Sequence, residues 1–272
     1  MHRRVSAPLG KFFADRGPHL AAMIAYFGLL SSVSLIFLAL ALLGWTGRAE
    51  ESSYLVRELE RLFPERPIDE IVSVVQALTE NATTLGVIGA AFLLWTSLSL
   101  FSVLESAFNI VYGLPNRPFV RGKVLASVFM MGSLIVLFVA LVIGAAGLDL
   151  LQRFAPGFAD NVVVGYGVSM LVSTLAVFVF LVVAYERLTN ARLSFAAVWL
   201  GAGVAAVLLQ LTFQVLPVFI RITDEVVAVQ ALGTSVLLLV WLYVMANVIV
   251  LGAEINWWRA NPRMEDEVTG LA

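Results

Sequence analysis

Six stretches of at least 24 residues contain no Asp, Glu, Lys or Arg: Leu20–Gly47, Asn81–Leu104, Val124–Leu148, Asn161–Tyr185, Leu193–Ile220 and Val226–Ala253. A helix that crosses the hydrocarbon core of a bilayer needs about 20 predominantly apolar residues. Each stretch is therefore long enough to cross once and too short to cross twice. Helix is the expected form, because hydrocarbon offers backbone N–H and C=O groups no partner and a helix pairs them within one segment. The predicted fold class is an all-α, polytopic six-helix transmembrane bundle. Its spans cover residues 20–45, 84–112, 124–147, 162–185, 195–219 and 230–256, in a single membrane domain of residues 1–258 followed by a tail of 259–272.

Charged residues make up 13% of the chain, against about a quarter in soluble domains. The longest segment outside the six runs is Arg48–Glu80, 33 residues, and an unstapled chain below roughly 40 residues rarely folds alone. Any chemistry must sit in or against the bundle. Cysteine is absent, and His2 and His19 are the sole histidines, which removes disulfides, thiolate metal sites and cysteine nucleophiles. No HExxH, GxSxG or glycine-rich phosphate loop is present, and Ser31, Ser32 and Ser34 have no His or Lys placed to activate them. No enzyme activity, cofactor or metal is expected. A net charge of −2 lacks the basic surface that nucleic acid requires.

The basic residues instead encode orientation. Of the 17, eleven fall in the segments on the side that holds both termini, and the 33-residue loop carries four basic against eight acidic residues. The positive-inside rule then places both termini in the cytoplasm and that loop outside. Arg3, Arg4, Lys11 and Arg16 precede a first apolar run of 28 residues, much longer than the roughly 7–15 residues of a signal-peptide core, so the run reads as a retained helix.

Small residues at Ala21, Ala25, Gly28 and Ser32 recur at helical spacing in the first span, a seam that lets a neighbouring backbone approach closely. The outer loop divides at Pro64–Pro67 into two short amphipathic pieces, one with Leu55, Leu59, Leu62 and Phe63, the other with Ile68, Ile71, Val72, Val75 and Leu78. They are expected to lie on the outer face as interfacial packing or as a cover. The second span has no breaker before Gly113 and Pro115, so Glu105 sits about 12 Å inside its end, on one face with Asn109 and Tyr112. The fifth carries Gln210 and Gln214 ahead of Pro217, where a kink is expected. The sixth carries Tyr243, Asn247 and Glu254, with Trp257, Trp258 and Arg259 beyond as an interfacial belt.

A carboxylate within a span costs about 2.5–3.5 kcal/mol at mid-membrane, which singles out Glu105 and Glu254. They either snorkel to headgroups and bond neighbouring helices, or share a polar chamber, open to the cytoplasm, with Asn109, Tyr112, Gln210, Gln214 and Asn247.

The order Asp15-Arg16, Ala21–Phe27, Leu94-Trp95, Leu104-Glu105 through Asn109 to Tyr112-Gly113, Asn190-Ala191-Arg192, Gly201, Trp241-Leu242-Tyr243 and Leu251-Gly252-Ala253-Glu254-Ile255-Asn256 resembles the YihY/BrkB family of bacterial inner-membrane proteins. The likeness runs from about residue 10 to residue 258. It departs in lacking the proline that the family carries near Ser31–Ser34 and the one before Asn190. The resemblance implies a six-helix bundle with cytoplasmic termini. Members have been linked to serum resistance, to lipopolysaccharide or lipid export and to solute or ion transport, and some were formerly labelled ribonuclease BN. The composition argues against a ribonuclease. The expected function is inner-membrane transport or export of an amphipathic envelope lipid or a small solute, with an ion as coupling partner. The rival is a non-transporting scaffold of the cell envelope. Membrane lipids are the expected partners, with a small solute or ion.

The charge asymmetry generates a test. In the natural cysteine-free background, Ser53→Cys is expected to react with a membrane-impermeant thiol reagent from the outer side. Labelling from the cytoplasmic side alone would invert the topology.

Overall fold

A computed structural model describes residues 2–45, 82–133, 162–224 and 234–261. These residues form helices and no strand: α1 (His2–Ala14), α2 (Gly17–Trp45), α3 (Ala82–Val111), α4 over residues 119–133, α5 (Val162–Leu188), α6 (Phe195–Asp224) and α7 (Thr234–Ala260). Among the described residues, four windows are long and apolar enough to cross a membrane: Leu94–Val111, Met170–Leu188, Phe195–Val215 and Val236–Ala260. The described residues are thus all-helical, and four of the helices are long and apolar enough to span a membrane. The two amphipathic pieces expected in residues 48–80, and most of the expected span at 124–147, lie outside the described residues.

The chain divides into two compact units. The first comprises residues 1–26 and 101–272, and contains α1, the start of α2, the end of α3, and α4 to α7. The second, Phe27–Leu100, contains the remainder of α2 and α3. In the second unit Ser32 Oγ donates to the Gly28 carbonyl at 2.9 Å. Thr96, fully buried, turns its hydroxyl to the Phe92 carbonyl at 2.9 Å. Both bonds recycle a hydroxyl onto the helix's own backbone, four residues back, where lipid supplies no partner. Of the small-residue seam, Ala21 and Ala25 are buried in the first unit, while Gly28 and Ser32 are half-buried in the second.

Helix α1 is not announced by any charge-free run. Its buried side carries Pro8 and Phe12, and it turns into α2 at Arg16, which adopts a positive φ of 57°. Gly17 follows with the Phe12 ring in the space a Cβ would occupy, so the turn folds tightly back on the helix it ends.

The core of the first unit is an antiparallel set of α5, α6 and α7. On α6 the buried positions Val198, Ala202, Ala205, Ala206 and Leu209 follow helical period, as do Ala246, Val250 and Ala253 on α7. Small side chains matter here because helices in lipid associate through close packing rather than hydrophobic expulsion. The tightest approach is at Gly201 and Gly252. A Cβ on Gly201 would strike the Gly252 carbonyl and the Asn256 side chain, and one on Gly252 would meet Tyr185 Oη and Ala205. Two polar bonds lock the crossing: Gly201 N–H donates to Asn256 Oδ1 at 2.7 Å, and Tyr185 Oη donates to the Ile249 carbonyl at 2.7 Å. The outward faces remain apolar, with Leu171, Val172, Leu175 and Val179 exposed on α5 and Val207 and Leu211 on α6. Contiguous apolar surface of this kind marks contact with lipid or another protein.

Gly201→Val is expected to force α6 from α7 and cost about 1–3 kcal/mol, read as a lower thermal midpoint in detergent. Ala202→Gly, which removes volume without a backbone clash, serves as the control. An unchanged midpoint for Gly201→Val would show that the crossing has room the geometry denies.

Candidate functional site

Polar groups gather at the end of the first unit where α3, α5 and α7 terminate and α6 begins. The sequence sets up this end with specific stop signals. Helix α3 closes at Gly113, whose φ is 64°. Gly113 N–H donates to the Ile110 carbonyl and Leu114 N–H to the Asn109 carbonyl, the paired bonds of a Schellman ending. Pro115 then prevents continuation.

Two ion clusters are built on these ends. In the first, Lys11 of α1 reaches Glu254 Oε2 on α7 at 3.0 Å, the Val111 carbonyl at the end of α3 at 2.7 Å, and Asp15 in the turn that follows α1. Its ammonium also stands 4.2 Å from the centre of the Trp257 ring. The contact with Val111 places a cation at a helix C-terminus, where the macrodipole favours it. The Glu254 side chain has no exposed surface, and its Oε1 is buried without a hydrogen-bond partner. The Tyr112 hydroxyl, next in sequence to Val111, is likewise buried and unpartnered.

In the second cluster, Arg117 pairs with Glu105 Oε1 at 3.1 Å. The same guanidinium donates to the carbonyls of Arg187, Leu188 and Thr189 at 3.1, 2.5 and 2.8 Å. These are the final carbonyls of α5, which have no partner within the helix. A planar group with five donors is suited to cap them and still hold a carboxylate. Asn109 completes the junction: its Oδ1 accepts from Asn190 N–H at 2.7 Å and its amide donates to Asn116 Oδ1 at 3.1 Å. Asn190 Nδ2 in turn donates to the Pro115 carbonyl at 3.0 Å. The two short connections, 112–118 and 189–194, are thereby tied to each other.

The residues singled out from sequence thus fall into two groups. Glu105, Asn109, Tyr112 and Glu254 collect at this end. Both carboxylates are enclosed by protein, at 4% and 0% exposure. They are held by different cations, Arg117 and Lys11. Asn247, Gln210 and Gln214 lie further along the helices. Asn247 is half-buried and donates to the Tyr243 carbonyl of its own helix at 2.7 Å, about 10 Å from Glu254 along α7. Gln210 accepts from Ser173 Oγ at 3.3 Å, and Gln214 is exposed on α6. They lie about 13 and 20 Å beyond Gly201, which is level with Asn256.

Lys11, Asp15, Arg117, Asn116 and Asn256 were not among the expected site residues. Lys11 and Asp15 carried a local signal, an opposite-charge pair at i, i+4. Arg117 carried none, since its partners lie 12 and about 70 residues away. No group of three or more metal-ligating side chains occurs among the described residues.

The family described as Virulence factor BrkB matches residues 9–271. The chain belongs to the BrkB family. Similar proteins include UPF0761 membrane proteins of Azoarcus sp. (strain BH72), 28% identical over 44% of this chain and 30% of that one, and of Psychrobacter sp. (strain PRwf-1), 24% identical over 92% and 47%. A third, from Pseudoalteromonas translucida (strain TAC 125), is 26% identical over 90% of this chain and 82% of its own. The chain spans less than half the length of the first two. No solved structure matches it. Within this BrkB-family chain, the match contains every residue of both ion clusters.

Removing the cation of a buried pair leaves an uncompensated charge and costs about 3–5 kcal/mol. Arg117→Ala also strips the carbonyls ending α5, so it is expected to destabilise by at least about 3 kcal/mol, read by thermal unfolding in detergent. Glu105→Gln leaves those carbonyls bonded to Arg117 and is expected to cost less. The reverse ranking would refute the capping role.

Proposed function

We propose that this BrkB-family protein is an inner-membrane transporter or exporter of an amphipathic envelope lipid or a small solute. The observation that carries the reading is the pair of enclosed carboxylates, Glu105 and Glu254, at one end of helices apolar enough to span a membrane. Ionisable groups in such positions are expensive to insert, and they characteristically mark substrate or ion pathways. In this reading both termini are cytoplasmic, and Glu105, Asn109, Tyr112 and Glu254 form the cytoplasmic end of a polar path. Asn247, Gln210 and Gln214 mark its course deeper in the membrane. The role is non-enzymatic, coupled to an ion, and uses the carboxylates for charge and the amides for orientation.

The test is movement of fluorescent phospholipids and small charged solutes in proteoliposomes. Wild-type protein is expected to accelerate at least one of them. Glu105→Gln and Glu254→Gln are expected to abolish that movement while inserted protein remains at wild-type levels. Full activity in both variants would remove the carboxylates from the mechanism. Absence of movement for every probe, together with a stoichiometric co-purifying partner, would support the envelope-scaffold reading instead.

A further inference from the structure

A groove of about 420 Å³ runs along the outer side of α6, lined by Trp199, Leu200, Gly203, Val204, Val207 and Leu208. Sites that hold small ligands have volumes of about 300–1,000 Å³. Gly203 opens this one. Trp199 and Val207 stand about one turn to either side of it on the same helical face, and the glycine between them leaves the floor without a side chain. Packing does not demand that glycine, since a Cβ there would meet only the edge of the Phe178 ring, at 3.8 Å, an ordinary contact. Gly201 and Gly252 differ, because a Cβ on either would strike backbone of the facing helix. Glycine weakens a helix interior relative to alanine, so the opening is the structural consequence of having it at 203.

A cation stands at one end of the groove. The Arg259 guanidinium lies 4.9 Å from the centre of the Trp199 ring. Arg259 is exposed and makes no ion pair among the described residues. Stacking occupies the face of the group and leaves its N–H donors free in the plane. Such a fork pairs with a phosphate through two parallel bonds. From this cation the groove leads about 13 Å along α6, from Trp199 to Leu208. Trp257 and Trp258, stacked at the end of α7, mark the same level as a bilayer interface, so the groove runs from headgroups into hydrocarbon.

An anion joined to an apolar chain matches both features, and neither a free anion nor a neutral chain does. We propose that the groove holds one anionic phospholipid, with its phosphate on Arg259 and an acyl chain over Gly203. No carboxylate lines the groove to receive the ammonium of a zwitterionic headgroup, so the site favours a headgroup of net negative charge. Arg259 is about 140° round α7 from Glu254, which sets the lipid apart from the enclosed carboxylates. The inference does not rest on the transport reading, because this lipid is a resident of the outer face rather than cargo.

Native mass spectrometry of the full chain tests it, after reconstitution in nanodiscs with equal amounts of phosphatidylglycerol, phosphatidylethanolamine and phosphatidylcholine and release into mild detergent. Wild-type protein is expected to retain one phosphatidylglycerol, in about tenfold preference to either zwitterionic lipid. Arg259→Gln is expected to lose that preference, and Arg259→Lys, which keeps the charge without the fork, to keep part of it. Gly203→Leu fills the groove and is expected to lose the bound lipid. Arg121→Gln removes an exposed cation of α4 that does not border the groove and is expected to behave as wild type. The exposed Arg259 variants keep the test decisive where Gly203→Leu does not fold. Equal retention of the three lipids by wild-type protein would overturn the proposal, leaving ordinary annular lipid in the groove. A preference that survives Arg259→Gln, or that Arg121→Gln removes equally, would overturn it by placing the anion elsewhere. A lipid-free dimer that Gly203→Leu abolishes would assign the groove to a second copy of the chain and overturn it too. No outcome depends on lipid or solute movement, so the two proposals fail separately.

Discussion

Lipid has no hydrogen-bonding capacity, and that single property constrains how polar groups are placed in the described apolar helices. It requires helices in the spanning segments. It sends the hydroxyls of Ser32, Thr96, Thr174 and Thr212 back to carbonyls four residues earlier in their own helices. It also leaves the helix ends as the natural place for charge, because unpaired backbone groups and ionised side chains then satisfy each other. Lys11 at the end of α3 and Arg117 at the end of α5 are both solutions of this kind.

The two cations differ in ways that follow from their chemistry. Arg117 has a rigid fork of donors and spends it on three carbonyls and a carboxylate, which fixes the connection after α3 against the connection after α5. Lys11 presents a compact charge that is divided between two carboxylates, a carbonyl and an aromatic face. The Arg117 cluster pairs one cation with one anion and reads as a fixed junction. The Lys11 cluster is unbalanced, and it joins α1, α3 and α7 rather than a helix end to a loop.

Membership of the BrkB family agrees with the membrane-spanning character of α3, α5, α6 and α7. The family match extends across the N-terminal helix from residue 9 and includes Lys11 and Asp15 as well as Glu254. The N-terminal segment is therefore part of the folded core rather than an orientation signal alone. Lys11 there makes a bond to the buried Glu254, a residue 243 positions away.

The apolar helices among the described residues and the stop after Tyr112 were legible in the chain because each depends on properties local in sequence. Runs without charge, the breaker pair Gly113 and Pro115, and the helical spacing of small residues all act within a few turns. Glu105, Asn109 and Glu254 were legible as exceptions for the same reason, being polar groups embedded in apolar runs. Their partners were not. Which cation faces which carboxylate depends on how α1 packs on α7 and how two connections about 70 residues apart meet, and no local pattern records that. Nor did composition reveal that the amides of α6 and α7 sit about 10 to 20 Å along their helices from the clustered carboxylates. The sequence by itself determined that this chain enters a membrane as helices, because lipid penalises each residue by its own polarity. Tertiary structure alone decided which charges are paired and which carboxylate oxygen is left over, because electrostatic compensation is a property of atoms brought together by packing.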